Sequence, residues 1–563
     1  MYSVLPDDQL APWVIKAGLA NEKQIAEALQ YAKNSNCSLY EALLEKGTVG
    51  DEQLGQLTAN IIKVPFVVLA KLTIPEDVFN IIPPVVARKQ KAVAFARGPG
   101  GIKIALANPA KKEVLEMVAK KTGQPVLVHF ATLQDIQNTL HIFKPDLQAI
   151  VNNLLKEDIG VVAGKVLEDP PVVKLVDILV TSAYDEKASD IHIEPEETST
   201  LVRFRIDGIL NNVLQVSKYL HDRIITRIKV LSNLRTDEHL AAQDGKMRIK
   251  LDEENLDIRV SIVPVADGEK AVLRLLSSRN RQFTLSDLGM SETDLKKVSA
   301  AYTKSYGMIL STGPTGSGKT TSIYSILKIL NTREKNITTI EDPIEYRIKG
   351  ANQIQVNVKT NLTFANGLRS ILRQDPNIVF VGEIRDNETA KIAVNAALTG
   401  HLVLSTLHTN DAATAIPRLI DMQVEPFLVA STVTVIIAQR LVRQVCTHCK
   451  QNVPVDYATL AQMFPADVIK RNLGESKTLM TSKGAGCKVC RSTGYIGRIG
   501  LFEVLEITEK IRRLITDRAD ADVLTKAALE DGMIGIIDDG LKKVAKGLTS
   551  LEEVQRVTKA EFL

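Results

Sequence analysis

Aromatic residues are scarce in this chain of 563 residues: phenylalanine, tyrosine and tryptophan make up 4% of it, with a single tryptophan. Proteins that hold single-stranded nucleic acid stack bases on aromatic rings along a basic groove. This sequence offers neither the rings nor the charge, because 70 lysines and arginines against 66 aspartates and glutamates leave a net charge of only +4. Long apolar runs are missing too. Pro426 to Ala438 is the longest, falls short of the ~20 residues that a spanning helix needs, and carries Ser431, Thr432 and Thr434. It predicts a core helix, so any membrane contact is expected to be indirect. The opening residues Met1-Tyr2-Ser3-Val4-Leu5-Pro6-Asp7-Asp8 contain neither a basic nor an apolar export segment, which predicts a cytoplasmic chain. There are only five cysteines, and disulfides between them are the competing reading for a secreted chain, which the reducing cytoplasm disfavours. A hydrophobic fraction of 45% is ample for burial, and this length predicts roughly three or four domains.

What is present begins with Gly313-Pro314-Thr315-Gly316-Ser317-Gly318-Lys319-Thr320-Thr321, which fits the Walker A pattern at every fixed position. Gly307 to Thr312 reads as a buried strand before it, and Ser322 to Leu330 as a helix after it. Glycines there let backbone N–H groups turn toward phosphate oxygens at a positive helix end, Lys319 can bridge the β- and γ-phosphates, and the Thr320 hydroxyl can ligate Mg²⁺. The pattern therefore predicts a nucleoside triphosphate and Mg²⁺ as ligands. A plain glycine turn is the competing reading, and the strand, loop and helix in order weigh against it.

Three further strand ends carry polar clusters. Ile337-Thr338-Thr339-Ile340 runs into Glu341-Asp342-Pro343-Ile344-Glu345, and Asn377 to Val381 runs into Gly382-Glu383-Ile384-Arg385-Asp386. Phosphoryl transfer to water needs a group that orients or deprotonates the water and a charge that holds magnesium, and both acidic clusters stand where such groups belong. Leu402 to Thr406 is followed by His408-Thr409-Asn410, where His408 could report the state of a phosphate. Solvated acidic turns and a structural histidine are the bland alternatives.

Four cysteines form two pairs, Cys446-Thr447-His448-Cys449 and Cys487-Lys488-Val489-Cys490. Two C-x-x-C knuckles supply the four thiolates of a closed tetrahedral Zn²⁺ site, with no open position for catalysis. The intervening residues 450–486 are expected to fold as a small helical excursion closed by the metal. Cys37 stands alone.

The succession GPTGSGKTT, TIEDPIEY, VGEIRDNET, TGHLVLSTLHTNDA and AQRLVR resembles the secretion ATPase superfamily, in its type II secretion and type IV pilus assembly branch. Upstream, Ala188-Ser189-Asp190-Ile191-His192-Ile193-Glu194-Pro195 and Arg203-Phe204-Arg205-Ile206-Asp207-Gly208 resemble that family's second N-terminal domain. The likeness extends over roughly residues 60–563. It implies an α/β, multidomain chain: a RecA-like P-loop core preceded by a PAS-like α/β domain and an N-terminal α/β adaptor, with a zinc-binding insertion. It further implies a homohexameric ring that hydrolyses ATP on the cytoplasmic side of the inner membrane and acts on a membrane platform protein. Glu345 is the general base in this likeness, and Glu383 is placed to hold magnesium. Arginines of the second N-terminal domain lie over the nucleotide in such rings, which makes Arg205 and Arg203 the candidates, with Arg227 and Arg259 behind them. Lys246 stands where the family usually has arginine and Leu240 where it often has a basic residue, so the choice among these arginines stays open. Pilus extension and secretion are not separable on these motifs. A nucleic-acid translocase and a non-catalytic nucleotide-gated scaffold are the readings from other classes.

The expected organisation is a helical module over 1–60, a small α/β adaptor over 61–143, a linker over 144–171, the PAS-like domain over 172–282 and the ATPase domain over 283–563. The last contains the cysteine insertion 446–490 and a helical C-terminal segment that includes Gly497 to Val504 and Asp538 to Val544. The first module shows two similar helical hairpins and resembles one that binds cyclic di-GMP in some family members. Gln9-Leu10-Ala11 and Cys37-Ser38-Leu39 replace the Arg-Leu-Gly opening of that module, so helical packing is favoured over that ligand.

Overall fold

The computed structural model describes the chain except residues 1–3, 36, 46–48, 73, 99, 143–146, 159–170, 252–253, 278–283, 475, 488–489 and 559–563. It forms two compact units, one mainly of residues 1–186 and the other mainly of the residues beyond.

In the first unit, helices Asp7–Lys16, Glu22–Ser35, Leu39–Glu45 and Asp51–Ile62 supply the hairpins expected of residues 1–60. Their apolar stripes meet in a core that includes Leu10, Val14, Leu39, Leu43 and Leu54. Gly18 ends the first helix in the left-handed region, at φ +69°, where a residue without Cβ pays no steric cost. The matching turn at 46–48 lies outside the described residues. A three-stranded sheet follows: β1 (Ala92–Gly98) pairs antiparallel with β2 (Gly101–Leu106), and β2 pairs parallel with β3 (Val126–Phe130) through the crossover helix Glu113–Thr122. Ile102, Ile104 and Leu106 alternate onto the face covered by Val114 and Val118, while Ala105 turns to the opposite core with Phe95. Within the expected linker, Leu147–Asp158 forms a helix, and 144–146 and 159–170 are outside the described residues.

The second unit carries two large sheets. One has the order β6-β5-β4-β9-β8-β7, from β4 (Asp190–Pro195), β5 (Ser199–Ile206), β6 (Ile209–Ser217), β7 (Gln243–Lys250), β8 (Asn255–Val265) and β9 (Gly268–Leu276). Its helix His221–Leu231 buries Lys229 completely, with Nζ 2.7 Å from a Glu269 carboxylate oxygen. The other sheet begins with six parallel strands: β10 (Gly307–Thr312), β11 (Ile337–Glu341), β12 (Asn352–Gln355), β13 (Ile378–Val381), β14 (Leu402–Leu407) and β15 (Val433–Val445), in the order β12-β11-β13-β14-β10-β15. Met308 and Leu310 of β10 enter the core on one face and Ile309 the core on the other. Burial on both faces explains the unbroken apolar runs of these strands. After β15 the chain leaves the sheet as a hairpin of β16 (Lys450–Asp456) and β17 (Thr478–Gly484). It then returns as β18 (Tyr495–Glu506), antiparallel to β15 at the sheet edge.

Three expectations are corrected here. Pro426 to Ala438 is not one core helix: Pro426–Thr432 is helical, and the β-branched run Val433-Thr434-Val435-Ile436-Ile437 enters β15 because it fills an inner position between β10 and β18. Gly497 to Val504 is strand β18 rather than part of a helical segment, whereas Asp538 to Val544 does lie in a helix, Ile536–Ala545. Residues 450–486 are mixed rather than helical, with helices Tyr457–Met463 and Ala466–Leu473 set between β16 and β17.

The helix Ile536–Ala545 is tied to β18 by buried charge. Lys543 Nζ lies 2.5 Å from Asp539 Oδ2 and donates to the Gly500 carbonyl at 2.7 Å, and Asp539 Oδ2 also accepts the Phe502 N–H at 2.8 Å. Burial pushes the Lys543 pKa down, and Asp539 opposes that shift. Removing one partner leaves the other charge buried and uncompensated, a cost of about 3–5 kcal/mol. Asp539→Ala is therefore expected to lower the midpoint of the denaturant unfolding transition by that equivalent; an unchanged midpoint would show that the pair carries no weight.

Candidate active site and metal centre

Parallel pairing brings the separate motifs to one edge. Thr312 is in register with Leu407, Ile340 with Val381 and Val381 with Ser405. The residues that follow, Gly313, Glu341, Gly382 and His408, therefore leave the carboxyl ends of adjacent strands, where open α/β sheets bind their ligands.

Helix Lys319–Leu330 starts at this edge, with Gly318 as its N-cap at φ +91° and no side chain capping it. A Cβ on Gly318 would stand 2.6 Å from the Gln439 amide nitrogen, and one on Gly313 would stand 2.4 Å from the Gln439 carbonyl oxygen. The loop thus lies directly on β15, with its first helical N–H groups open. Pro314, Thr315 and Gly316 are exposed, Ser317 is buried, and Thr320 and Thr321 are half-buried. The Ser317 hydroxyl and the Gln439 amide nitrogen are buried without a hydrogen-bond partner. An uncapped positive helix end beside unpaired polar atoms fits a polyphosphate.

Lys319 opens the helix and its side chain folds back over the loop, where Nζ donates to the carbonyls of Gly313 at 2.7 Å and Pro314 at 3.1 Å. Burial pushes its pKa down to about 8; Glu383 works against that shift and Arg440 adds to it. Glu383, 9% exposed, is fixed from two sides, by Arg385 Nη2 at 2.5 Å and His408 Nε2 at 3.2 Å. The strand ends beneath it are pinned as Ser405 donates to the Val381 carbonyl at 2.8 Å and Thr406 to the Gly382 carbonyl at 2.7 Å. Lys319, Glu383 and His408 are thus brought together. Thr320 and Glu383 are the residues that could hold Mg²⁺, which takes oxygen ligands.

The acidic cluster divides. Glu341 is buried and accepts from Thr339 Oγ1 at 2.6 Å, Gln353 Nε2 at 3.2 Å and the Tyr324 hydroxyl. Burial raises its pKa against the pull of those hydrogen bonds, and burial also holds the Tyr324 hydroxyl far above its ordinary value. Glu341 thereby serves the sheet interior. Glu345 is partly open and is met by Arg259 of β8, whose Nη1 is 3.4 Å from its carboxylate and whose Nη2 donates to the Ile344 carbonyl at 2.5 Å. Lys246 of β7, in register with Arg259, donates to Gln355 Oε1 at 3.2 Å beside it.

Arg203 and Arg205 are placed differently. Arg203 pairs with Glu194 at 2.6 Å, and Arg205 Nε lies 3.3 Å from Asp190, which also meets Arg274. Burial works to raise the Glu194 pKa, but Arg203 and Lys270 hold it at about 2. Within one chain these two arginines are partnered on β4 rather than at the phosphate loop. Arg259, ranked behind them on sequence, is the one that reaches the acidic cluster. Sequence reasoning gave no role to Arg385, Gln439 or Arg440; the first stands two residues after Glu383, and the others sit within AQRLVR.

The sulfur atoms of Cys446, Cys449, Cys487 and Cys490 lie within 4.8 Å of one another. Cys487 and Cys490 are 3.7 Å apart, sulfur to sulfur, and the Cys487 N–H donates to Cys490 Sγ at 3.1 Å. Backbone bonds seat the other knuckle, from the Cys446 N–H to the Gly494 carbonyl and from the Ala485 N–H to the Cys449 carbonyl, both 2.9 Å. Four converging thiols with no other acid or histidine in the group fit a soft, tetrahedral metal ion.

Comparison with known proteins is consistent across the chain. The model of the type II/IV secretion system protein family matches residues 165–556, and that of the MshEN domain matches 62–148. The chain is 36% identical over 560 residues to the type IV pilus assembly ATPase PilB of Myxococcus xanthus, covering 97% of this chain and 98% of that protein. It is 46% identical over 394 residues to the type II secretion system protein E of Pseudomonas aeruginosa, covering 70% and 77%. The ATPase DotB of Legionella pneumophila superposes with a TM-score of 0.51 at 22% identity, over 72% of this chain and all of DotB, a likeness of fold.

The close seat of the loop on Gln439 sets an expectation for binding. Gly318→Ala must displace the Gln439 side chain and adopt a conformation unfavourable to a Cβ. Lys319→Ala removes the loop's own cation. Both variants are expected to lose nucleotide affinity by at least ~100-fold, as expected when charge-assisted contacts vanish, with the unfolding midpoint near wild type for Lys319→Ala and lowered for the strained Gly318→Ala. Titration with a fluorescent ATP analogue checks it.

Proposed function

The chain belongs to the type II/IV secretion system protein family and is an ATPase, and from that premise we propose that it powers type IV pilus assembly. In this reading it works as a cytoplasmic homohexamer at the inner membrane, coupled to a membrane platform protein. The observation that carries the choice is coverage: similarity to the pilus assembly ATPase runs through both units, over 97% of this chain, whereas two type II secretion relatives match 70% and 84% of it. Driving a type II secretion pseudopilus is the second reading, favoured by the higher identity of those shorter matches. No described helix is long and apolar enough to cross a membrane. Binding of cyclic di-GMP is a weaker element of this reading: the MshEN model matches 62–148, but the Arg-Leu-Gly opening is replaced by Gln9-Leu10-Ala11 and Cys37-Ser38-Leu39 in the helical module before it.

The residues divide the work of hydrolysis. Backbone N–H groups of the loop Gly313–Thr321, of which Pro314 has none, and the Lys319 ammonium bind the phosphates. Thr320 and Glu383 would hold Mg²⁺, which would neutralise charge on the phosphate oxygens. Glu345 takes the proton of the attacking water, and Arg259, at 3.4 Å, fixes where that carboxylate points. His408 shares Glu383 and so senses whether the carboxylate is engaged. Arg203 and Arg205 act across the ring on a neighbouring copy's nucleotide. The proposed boundaries are those of the sequence: helical module 1–60, adaptor 61–143, linker 144–171, PAS-like domain 172–282 and ATPase domain 283–563. Zn²⁺ held by the four thiolates would close the insertion 446–490.

Glu345→Gln keeps shape and hydrogen bonding but removes the base, so hydrolysis is expected to fall by roughly 10²–10⁴-fold while ATP stays bound. Arg259→Ala should slow turnover less and leave affinity intact. Single-turnover hydrolysis beside ATP titration checks both; a Glu341→Gln variant that fails where Glu345→Gln survives would reverse the assignment. Cells whose only copy is Glu345→Gln should lack surface pili yet retain protein secretion. The reverse phenotype would select the second reading.

The metal has its own test. Protein purified under reducing conditions is expected to carry about one Zn²⁺ per chain, by the closed four-thiolate logic, and Cys446→Ser or Cys490→Ser should release it while leaving ATP affinity unchanged. Elemental analysis without zinc in the native chain would remove this assignment.

A further inference from the structure

One part of the chain departs sharply from its near-neutral average. From Val78 to Lys112 there is no aspartate or glutamate, yet seven lysines and arginines fall in that stretch. Folding gathers four of them. Helix Pro84–Gln90 ends beside the loop that leads from β2 into helix Glu113–Thr122: the Ala107 N–H donates to the Lys91 carbonyl at 3.2 Å, and Gln90 Nε2 donates to Glu113 at 2.9 Å. Lys89 and Lys91 on one segment thus neighbour Lys111 and Lys112 on the other. Lys89 and Lys112 are exposed, and Lys91 and Lys111 half-exposed.

Their surroundings offer no internal reason for the charge. Among the described residues, no ion pair engages any of the four. Arg88, next to them, is bound by Asp185, and the Glu113 carboxylate is engaged by Gln90. Two lysines near a helix C-terminus suit its dipole, but Lys111 and Lys112 stand at the opposite kind of end, just before the first turn of Glu113–Thr122, where positive charge is unfavourable. Like charges assembled at a dipole end that repels them reduce the stability of the fold, which points to an external counter-charge.

We propose that Lys89, Lys91, Lys111 and Lys112 form an electrostatic docking surface for the anionic phospholipid headgroups of a bilayer. Lysine ammoniums are compact, strongly hydrated point charges that suit a diffuse anionic plane better than one defined carboxylate partner. Among the described residues, no exposed aromatic or large aliphatic side chain accompanies the four to insert into a bilayer or to fill a protein hot spot. The contact adds a direct attraction to whatever reaches the membrane through a partner, and several copies in one assembly would multiply it.

Co-sedimentation of the full chain with vesicles tests it. Wild type is expected to bind vesicles of phosphatidylcholine and phosphatidylglycerol in equal parts, to ignore pure phosphatidylcholine, and to be released by salt. Each lysine changed to glutamine should weaken partitioning by roughly fivefold, so the quadruple glutamine variant should bind at the level of neutral vesicles with unchanged basal ATP turnover. The quadruple arginine variant, which keeps charge, should still bind. The paired variants Lys89→Gln/Lys91→Gln and Lys111→Gln/Lys112→Gln, each expected to lose part of the binding, guard against a folding failure in the quadruple. Equal binding by wild type and the quadruple glutamine variant overturns the proposal. So does equal loss on neutralising Lys296, Lys328, Lys349 and Lys359 instead. Binding to soluble polyglutamate but not to the anionic vesicles would assign an acidic protein partner and overturn the lipid reading as well.

Discussion

The hydrogen-bond ladders on either side of β10 are the constraint from which the site follows. With β14 on one flank and β15 on the other, Thr312 is held opposite Leu407 and Ala438, and the phosphate loop that follows lies on Gln439. That close seat is why Gly313 and Gly318 cannot carry side chains. It also sets Lys319 near Glu383, because β13 stands next to β14 in the same register. A slip of any of these strands would remove the chemistry without altering one catalytic residue.

Charge in the site is arranged as fixed pairs. Glu383 is shared between Arg385 and His408, Glu345 is met by Arg259, and Arg203 and Arg205 are bound to carboxylates of β4. Each is an attachment that a change of ligand or neighbour can exchange for another, since none is fully removed from solvent. Glu341 is the contrast: its three donors and its burial hold it in the interior, and it has no freedom to exchange them.

Much of this was legible in the residues because local patterns carried it. The glycine-rich loop between an apolar strand and a helix marked the P-loop, period-two alternation marked β5, and β1, β2 and the helix Glu113–Thr122 fell where their patterns place them. What stayed hidden was pairing. Pro426 to Ala438 is apolar throughout, and hydrophobicity alone cannot separate a buried helix from a buried inner strand; the neighbours β10 and β18 decide. Gly497 to Val504 became a strand for the same reason. The partners of Arg203 and Arg205 are set by the register of β5 on β4, and the meeting of Arg259 with Glu345 joins segments distant in the chain. The cysteine spacing, by contrast, announced itself, because four thiols that converge need no knowledge of what lies between them.

The path of the chain around that cysteine excursion has an evolutionary corollary. Val445, the last residue of β15, lies opposite Tyr495, the first of β18, so the departure and the return are neighbours in the sheet. A short turn could join them with the ladder intact. The excursion is therefore a detachable module, open to loss or exchange among descendants without redesign of the core. Its present attachment is lateral: Arg471 grips Asp538 through two bonds of 2.9 and 3.0 Å, and Asn472 adds a third of 2.6 Å. A descendant that discarded the module would keep the sheet but would have to find Asp538 a new partner or replace it.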